Sequence, residues 1–317
     1  NPGKEYTAGT LLGRVDAHFE KYGIRRLPDG SVTGAPLLSD DEFNHSLGEM
    51  RIRFIQEIVY WCALDYMYTG NTSNIPRVID ALDHALDQGF AYGSGQGTNH
   101  HYGYQVRDLY KGVWILRKEL AKSGKLEDYV KALTYWSGLQ EVRMPYEQTR
   151  DGILDAWHTL HNAKVISAML QSDDDKRYAA MMALGKWTSG SLSYTDGTLG
   201  GIKVDGTSFH HGGHYPGYSV GAFGVLGDYC WFTKYTDFAI DEPARRVFKH
   251  TLMTLLDYCN LRDWGVGVCG RHPFNGAIPE KDVEAFARLA LLGDLTGSGQ
   301  SADPELGGAF LLLAGKD

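Results

Sequence analysis

Apolar residues recur at helical spacing along most of the chain from Leu11 onward. Apolar side chains three and four positions apart lie on one face of an α-helix, so this spacing predicts helices and few strands. Residues 11–24 predict a first helix, and a long apolar run continues to about Tyr68 after Asp40-Asp41-Glu42. Acidic residues at that position favour a helix start, because they interact well with the helix dipole.

The remaining helices follow one another with turns of a few residues between them. Asn74 predicts an N-cap and Pro76 a first helical turn, which gives a helix that ends at about Gln88. The same spacing predicts helices at residues 102–122, 126–142, 152–171, 173–192, 217–235, 243–260, 280–294 and 303–315. Alternation typical of strands is scarce, and residues 198–204, within 196–205, predict one short hairpin. The fold class is therefore all-α.

Short connections between helices indicate antiparallel helix pairs, and two architectures contain such pairs. One is an open α/α toroid, and the other is a helical solenoid. A solenoid should show sequence similarity at a fixed period, and none is evident beyond the alternation of helices. We found no low-complexity segment and no linker, so residues 1–317 are predicted to form a single domain.

Composition and charge exclude several classes of function. The formal net charge of −8 over 317 residues argues against a nucleic-acid partner, because such partners require phosphate neutralisation by Lys and Arg. An acidic ligand would need a locally basic cleft, since the average field repels it. No apolar run is long enough for a membrane span, so no membrane partner is expected. We expect a monomer.

The richest candidate chemistry lies in residues 204–223, VDGTSFHHGGHYPGYSVGAF. This stretch places His210, His211, His214, Tyr215 and Tyr218 in a glycine-rich loop beside a predicted helix start. Glycines allow a backbone to approach a ligand closely. Two other glycine-rich segments carry His or Arg in the same manner, GQGTNHHYGY at 95–104 and VGVCGRHPFNG at 266–276. The alternative is a surface loop whose rings cap the next helix.

Three blocks in this order, GTNHHYGY, DGTSFHHGGHYPGYSVGAF and GRHPFN, resemble the catalytic domain of polysaccharide lyase family 8, in its chondroitin sulfate ABC lyase branch. The weaker stretch LQSDDDKR at 170–177 belongs to the same resemblance, which covers about residues 97–274. The resemblance implies the toroid rather than the solenoid. It also implies β-elimination on a glycosaminoglycan: chondroitin or dermatan sulfate, or hyaluronan.

Elimination beside a uronic acid carboxylate needs a base for the C5 proton, an acid for the leaving oxygen, and donors for the negative charge that develops. Asn, His and Arg can supply such donors. Hydrolysis would instead need two carboxylic acids, and the only acid within the three blocks is Asp205. The residues themselves therefore favour elimination over hydrolysis.

The family motif has a histidine seven residues before a tyrosine, and here that pair is His211 and Tyr218. The resemblance implies that Tyr218 transfers the proton and that His211 acts as base or binds the carboxylate. It also implies that Arg271 supplies the cation that a phenol, with an ordinary pKa of about 10, needs at neutral pH. His210 is the alternative to His211 and is expected to bind substrate, as is Tyr215. Tyr215 and His214 are expected to shape the loop.

The first block adds Asn99, His100 and His101. A second histidine on the opposite face of the sugar would let one site accept both uronic epimers, and the resemblance favours His101 over His100 for this role. The alternative is an N-cap by Asn99 with the histidines packed in the core. Arg107 and Arg271, with Lys203, are expected to make the cleft basic.

No cofactor is expected to be required. A divalent cation, Ca or Mg, could bind at Asp196 and Asp205, whereas His158 and His161 are interpreted as ordinary packing. The family's catalytic glutamate comes from a β-sandwich domain that follows the toroid. Since this chain stops at Asp317, we expect the flanking domains to be absent from it. The activity of the chain by itself is thus an open question, with a glycan-binding toroid and a hydrolase as alternatives.

The resemblance implies a bacterial protein that is secreted or periplasmic. The first residues, NPGKEYTAG, do not form a signal peptide. A precursor from which the signal has been removed would look the same.

Overall fold

The computed structural model describes residues 8–37, 52–95, 102–146, 152–269 and 276–315. The chain divides into two compact units. The first comprises Asn1–Leu139 and Ile166–Arg177, and the second comprises Gln140–Val165 and Tyr178–Asp317.

Helices dominate the described part of the first unit. It contains α1 (Ala8–Tyr22), α2 (Arg53–Thr69), α3 (Ile75–Asp87), α4 (Tyr102–Lys122) and α5 (Leu126–Trp136), with a small antiparallel hairpin of β1 (Arg25–Arg26) and β2 (Val32–Thr33). Each of these helices lies within or close to a segment in which apolar spacing predicted one. The predicted helix start after Asp40-Asp41-Glu42 lies outside the described residues.

Helices α2 and α4 pack in parallel and very close together. Gln56 Oε1 accepts a hydrogen bond from the Asp108 amide at 3.0 Å, and Tyr66 donates to Glu119 at 3.2 Å. Contacts that advance together along both helices mean that the two N-terminal ends lie at the same end of the unit. The approach depends on Gly112, where a Cβ atom would lie 2.9 Å from Val59.

The start of α3 differs in one detail from the prediction. Asn74 precedes the helix and Pro76 lies in its first turn, as expected. The Asn74 side chain, however, makes no capping hydrogen bond. Its amide instead donates to the buried Asp65 carboxylate at 3.5 Å, so it links α2 to α3.

The second unit combines helices with short strands. Its helical part begins with α6 (Ile153–Asp155) and one π turn (Ala156–Leu160), which leads into α7 (His161–Met169). The last residues of α7 and the first turn of α8 (Asp174–Ser191) belong to the first unit, which includes Ile166–Arg177. After α8 the second unit contains the strands β3 (Gly201–Ile202), β4 (Ser208–His210) and β5 (Gly213–His214), and then α9 (Pro216–Thr233). The order of the sheet is β3-β4-β5, all antiparallel. The unit continues with α10 (Glu242–Asp257), the hairpin of β6 (Cys259–Asn260) and β7 (Asp263–Trp264), α11 (Glu280–Ala290) and α12 (Pro304–Leu313).

Helix α9 is apolar around most of its circumference, as a buried helix must be. Its glycines allow neighbouring elements to approach its backbone. A Cβ atom at Gly227 would lie 2.9 Å from the Ala285 Cα atom of α11, and one at Gly224 would meet the Asp282 carboxylate. The helix that follows the histidine-rich loop is therefore fixed firmly in its unit.

Several predicted ends and turns are corrected by the structure. The helix predicted over 126–142 ends at Trp136, because Gly138 adopts a positive φ of 68° before the 3₁₀ turn Leu139–Arg143. The hairpin predicted within 196–205 lies later in the chain. Its turn is at Gly206 (φ 83°), so Gly201–Ile202 pairs with Ser208–Phe209. Among the described residues, no helix is long and apolar enough to cross a membrane.

Candidate functional site

The histidine-rich loop forms a tight connection between β4 and β5. His210 pairs with Gly213, so only His211 and Gly212 form the turn, with φ values of 53° and 79°. Two consecutive positive φ values are those of a type I′ turn. Histidine adopts this region more readily than most residues, yet a side chain there is strained. At this turn the His211 side chain is exposed.

Hydrogen bonds connect this sheet to the start of α9. The Tyr215 amide donates to the Ser208 carbonyl at 3.0 Å, and the Ser208 hydroxyl donates to Ser219 Oγ at 2.7 Å. Ser219 Oγ in turn donates to the Pro216 carbonyl at 3.0 Å. Both serines are buried. The first turn of α9 is thereby held in register with β4.

As a result, four aromatic side chains meet in what we call the ring cluster: His210, His211, Tyr215 and Tyr218. The His210 ring lies 4.0 Å from that of His211 and 4.4 Å from that of Tyr218. His211 and Tyr218 meet edge to face at 5.3 Å, and Tyr215 and Tyr218 at 4.6 Å. The seven-residue spacing of His211 and Tyr218 therefore does bring their rings together.

Solvent access separates the four rings into two pairs. His210 and Tyr215 are both 4% exposed. His211 is exposed and Tyr218 is half-buried. A bound substrate could reach His211 and Tyr218 directly, while the other two rings support them from behind.

Asp155, which the sequence interpretation did not include, lies against this cluster, and His158, interpreted there as ordinary packing, lies against α9. Asp155 Oδ2 is 3.4 Å from His210 Nε2. That distance is short enough for an ion pair, but the geometry is not that of a hydrogen bond, and His210 has no hydrogen-bond partner among the described residues. His158, in the π turn, packs its ring against Gly221 of α9. The sequence did contain a sign of this arrangement. Asp155 and His158 are three residues apart, and that spacing places two side chains on one face of a helix.

His214 lies apart from the four rings in its contacts. Its Nε2 is 3.2 Å from the Tyr258 hydroxyl. Burial lowers the pKa of His214, and the nearby Asp205 carboxylate partly opposes this. Burial also raises the pKa of the Tyr258 phenol. His214 therefore helps to anchor the loop, as the sequence interpretation expected.

Two of the three residues expected to make a basic cleft have different environments. Arg107 is exposed on α4 of the first unit and lines a cavity there with Tyr60, Trp61 and Tyr104. Lys203, in the second unit, is only 8% exposed. Its ammonium donates to the Leu199 carbonyl at 2.5 Å and to Thr195 Oγ1 at 3.0 Å. Lys203 thus holds the loop before β3, contrary to its expected place in a cleft.

Four predicted site residues lie outside the described residues: Asn99, His100, His101 and Arg271. Of the four residues expected to line one cleft, His101, His211, Tyr218 and Arg271, the structure describes His211 and Tyr218, whose rings are in contact. The placement of the other two stays a prediction.

The described residues contain no group of three or more His, Cys, Asp or Glu side chains that could hold a metal ion. Asp205 accepts hydrogen bonds from the amide and hydroxyl of Thr207, which lower its pKa. His161 is fully buried, with its Nε2 2.9 Å from Thr188 Oγ1, so it belongs to the core. Binding of Ca or Mg stays a prediction.

A family model described as "Lyase, catalytic" matches residues 4–317 of the chain. The chondroitin sulfate ABC exolyase of Bacteroides thetaiotaomicron is 30% identical over 337 aligned residues, which cover 98% of this chain and 32% of that protein. The chondroitin sulfate ABC exolyase of Proteus vulgaris is 29% identical, over 96% of this chain and 32% of that protein. The chain thus spans about a third of the length of these curated relatives.

The fold has counterparts among solved structures. A variant of the chondroitin AC lyase of Streptomyces coelicolor A3 matches with a TM-score of 0.63 at 12% identity, over 99% of this chain and 46% of that one. The same enzyme in complex with chondroitin sulphate matches with a TM-score of 0.62 at 15% identity, over 92% and 40%. A Paenibacillus xanthan lyase matches with a TM-score of 0.62 at 14% identity, over 100% and 32%. These likenesses confirm the predicted all-α fold class of α/α-toroid type.

Proposed function

Because the chain belongs to the catalytic-domain family of the polysaccharide lyases, family 8, we propose that it cleaves an acidic glycosaminoglycan by β-elimination at the ring cluster. The observation that carries this proposal is the edge-to-face contact of an exposed histidine, His211, with a half-buried tyrosine, Tyr218. Chondroitin or dermatan sulfate is the proposed substrate class, in line with the names of the relatives, and hyaluronan is a further candidate.

Tyr218 is the proposed proton carrier. As a phenolate, Tyr218 takes the C5 proton and then, as a phenol, returns a proton to the departing glycosidic oxygen; if it acts only as the acid, His211 takes the C5 proton. In both cases the electron pair of the C5–H bond forms the C4–C5 double bond as the C4–O bond breaks. A phenol has an ordinary pKa of about 10, so a cation beside it is required for this work at neutral pH. Arg271 is the proposed cation, on the basis of the family motif alone.

His211 is the proposed partner of the substrate carboxylate. The carboxylate is anionic before the reaction, and removal of the neighbouring proton adds negative charge that must be stabilised. The positive φ of 53° at His211 supports this role, because strained backbone is retained where function requires it. His210 is less suited to direct contact since it is buried beside Asp155.

The expected roles of His101, Asn99 and His100 on the opposite face of the sugar are proposed from the motif. The proposed setting is a secreted or periplasmic bacterial protein that acts as a monomer, with no required cofactor.

Hydrolysis is the less favoured reaction. It needs two carboxylic acids, and the one acid within the histidine-rich block, Asp205, is already engaged by Thr207. Binding of the polysaccharide without turnover is the alternative function that the assay has to distinguish.

Absorbance near the ultraviolet edge during incubation with chondroitin sulfate tests the reaction class. Elimination leaves a conjugated double bond, whereas hydrolysis and binding leave none. The Tyr218→Phe variant should lower kcat by roughly 10²–10⁴-fold, the usual effect of losing general acid–base catalysis, with KM little changed. Tyr215→Phe is the matched control, since it removes the same hydroxyl from a buried ring, and it should cost much less.

Near-full activity of Tyr218→Phe would transfer the proton-transfer role to a histidine, His211 first. Shortened polysaccharide without the new absorbance would indicate hydrolysis instead. Binding of the polysaccharide without any shortening would indicate the glycan-binding alternative.

A further inference from the structure

A cavity of 270 Å³ lies in the first unit and is lined by residues of α2 and α4. Its lining joins three aromatic side chains, Tyr60, Trp61 and Tyr104, with two guanidinium groups, those of Arg53 and Arg107. Ligand pockets for drug-sized molecules measure about 300–1,000 Å³. This cavity is therefore of the right size for one sugar residue of a chain whose neighbouring residues remain in solvent.

The two arginines are available for a ligand. Both are exposed, and neither has an ion pair or a side-chain hydrogen bond with any residue in the described ranges. A guanidinium group binds carboxylate or sulfate through parallel N–H donors. A cavity that holds two such groups is thus suited to an anion.

The carboxylates of the cavity do not cancel this charge, because each already has a cationic or protonatable partner. Glu57 Oε2 is 2.7 Å from His18 Nε2. Asp108 Oδ1 accepts a hydrogen bond from Lys111 Nζ at 2.8 Å. The guanidinium groups of Arg53 and Arg107 together with Lys111 outnumber these two carboxylates, so the charged groups at the cavity carry a net positive charge.

The aromatic lining is rigid. The Trp61 ring stacks on His18 at 5.2 Å with an interplanar angle of 9°, and the Arg14 guanidinium lies 5.6 Å from its centroid. Tyr60 and Tyr104 are half-buried in neighbouring helices that Gly112 brings close together. Rigid aromatic surface gives contact area at little cost in conformational entropy, and it suits the apolar face of a pyranose ring.

We propose that this cavity binds one anionic pyranose of an acidic polysaccharide, with Arg53 and Arg107 on its carboxylate or sulfate group and the tyrosines against its ring. None of the residues involved belongs to the ring cluster. The proposal rests on the proposed function for its choice of ligand, an acidic sugar, but not for its geometry.

Titration of the chain with a chondroitin sulfate tetrasaccharide, followed by isothermal calorimetry and by NMR of the indole N–H groups, tests this site. The chain has only 7 Trp, so the Trp61 signal can be assigned with a Trp61→Phe variant. We expect the Trp61 signal to move with the same Kd that calorimetry reports. The double variant Arg53→Gln/Arg107→Gln should raise that Kd about tenfold or more, as expected for loss of charge-assisted hydrogen bonds.

The matched control is Arg25→Gln, which removes an exposed guanidinium of the same unit that does not line the cavity. It should change the Kd less than about twofold, within the range of long-range charge effects. An equal effect of Arg25→Gln and the double variant, or a Trp61 signal that does not move, would overturn the proposal.

Two further ligands identify the chemistry recognised. An unsulfated chondroitin tetrasaccharide that still moves the Trp61 signal assigns recognition to the carboxylate; if only the sulfated ligand does so, recognition belongs to the sulfate ester. If inorganic sulfate alone moves the signal at the same concentration, the cavity is a simple anion site and the sugar proposal is wrong. Failure of the lyase assay with a normal Trp61 titration would refute the proposed reaction while leaving this site intact.

Discussion

Replacement of Gly227 by alanine tests how closely α9 is packed in the second unit. Gly227 is buried, and a Cβ atom there would lie 2.9 Å from the Ala285 Cα atom and 3.1 Å from its Cβ atom. Carbon atoms are best separated by roughly 3.5–4.0 Å. The new methyl group would thus require α9 and α11 to separate by about 0.6–1.1 Å, since neither contacting atom can move by changing a rotamer.

Two opposing effects decide the sign of the change in stability. Alanine is favoured over glycine in a helix interior by about 0.8–1 kcal/mol. Overpacking of a well-filled core costs about 1–3 kcal/mol, and contact with a backbone atom places this site toward the upper part of that range. We therefore expect Gly227→Ala to lower the free energy of unfolding by about 1–2 kcal/mol.

The matched control is Gly308→Ala in α12, where the position is exposed and a Cβ atom would have nothing within 4 Å. This change keeps the propensity gain without the clash, so it should raise stability by about 0.5–1 kcal/mol. Chemical denaturation followed by circular dichroism measures both variants against the parent protein. A Gly227→Ala variant at least as stable as the parent would refute the close contact of α9 with α11.

Three further measurements follow from buried or charged groups. Burial lowers the pKa of His161 from its ordinary value near 6.5 to about 3, so the unfolded chain binds a proton that the folded chain does not. Stability should fall by about 2 kcal/mol between about pH 7.5 and pH 5, and His161→Gln should remove that share of the loss. Lys203→Met should lower the free energy of unfolding by about 1–3 kcal/mol, because the carbonyl of Leu199 loses its buried donor. The control Lys186→Met, at an exposed position, should change the free energy of unfolding by less than about 0.5 kcal/mol. Equal effects of the two variants would contradict the structural role of Lys203. Binding of a sulfated oligosaccharide should weaken as salt rises, since exposed charges are screened over about 10 Å at 0.1 M ionic strength, and salt-independent affinity in calorimetry would indicate aromatic stacking as the main contact.

The sequence by itself determined the helical class and most helix bounds. The 102–122 prediction agrees with α4 at both ends, and the 173–192 prediction agrees with α8 within one residue at each end. Apolar periodicity is local information, and each helix needs only its own residues to display it. The spacing of His211 and Tyr218 was also readable in the sequence, since a tight turn followed by a helix start is coded by nearby Gly and Pro residues.

The tertiary structure decided which of the neighbouring rings a substrate can reach. His210 and His211 are adjacent and chemically identical, yet one is buried beside Asp155 and the other is exposed on a turn. The alternation of strand faces and the register of β4 with β5 produce that difference, and a residue distant in sequence, Asp155, completes it. Lys203 was expected in the cleft, but its ammonium binds the carbonyl of Leu199 and the hydroxyl of Thr195 instead. Such contacts depend on the folded course of the chain, which apolar spacing does not give.

The cavity of the first unit was also beyond the reach of the sequence. Arg53 and Arg107 lie in helices separated by α3, and no motif connects them. They line one cavity because Gly112 lets α2 and α4 pack in parallel with their N-terminal ends together. Helix periodicity gives the face on which a residue lies, but the partner of that face is set by packing between helices, which depends on side chains far apart in the chain.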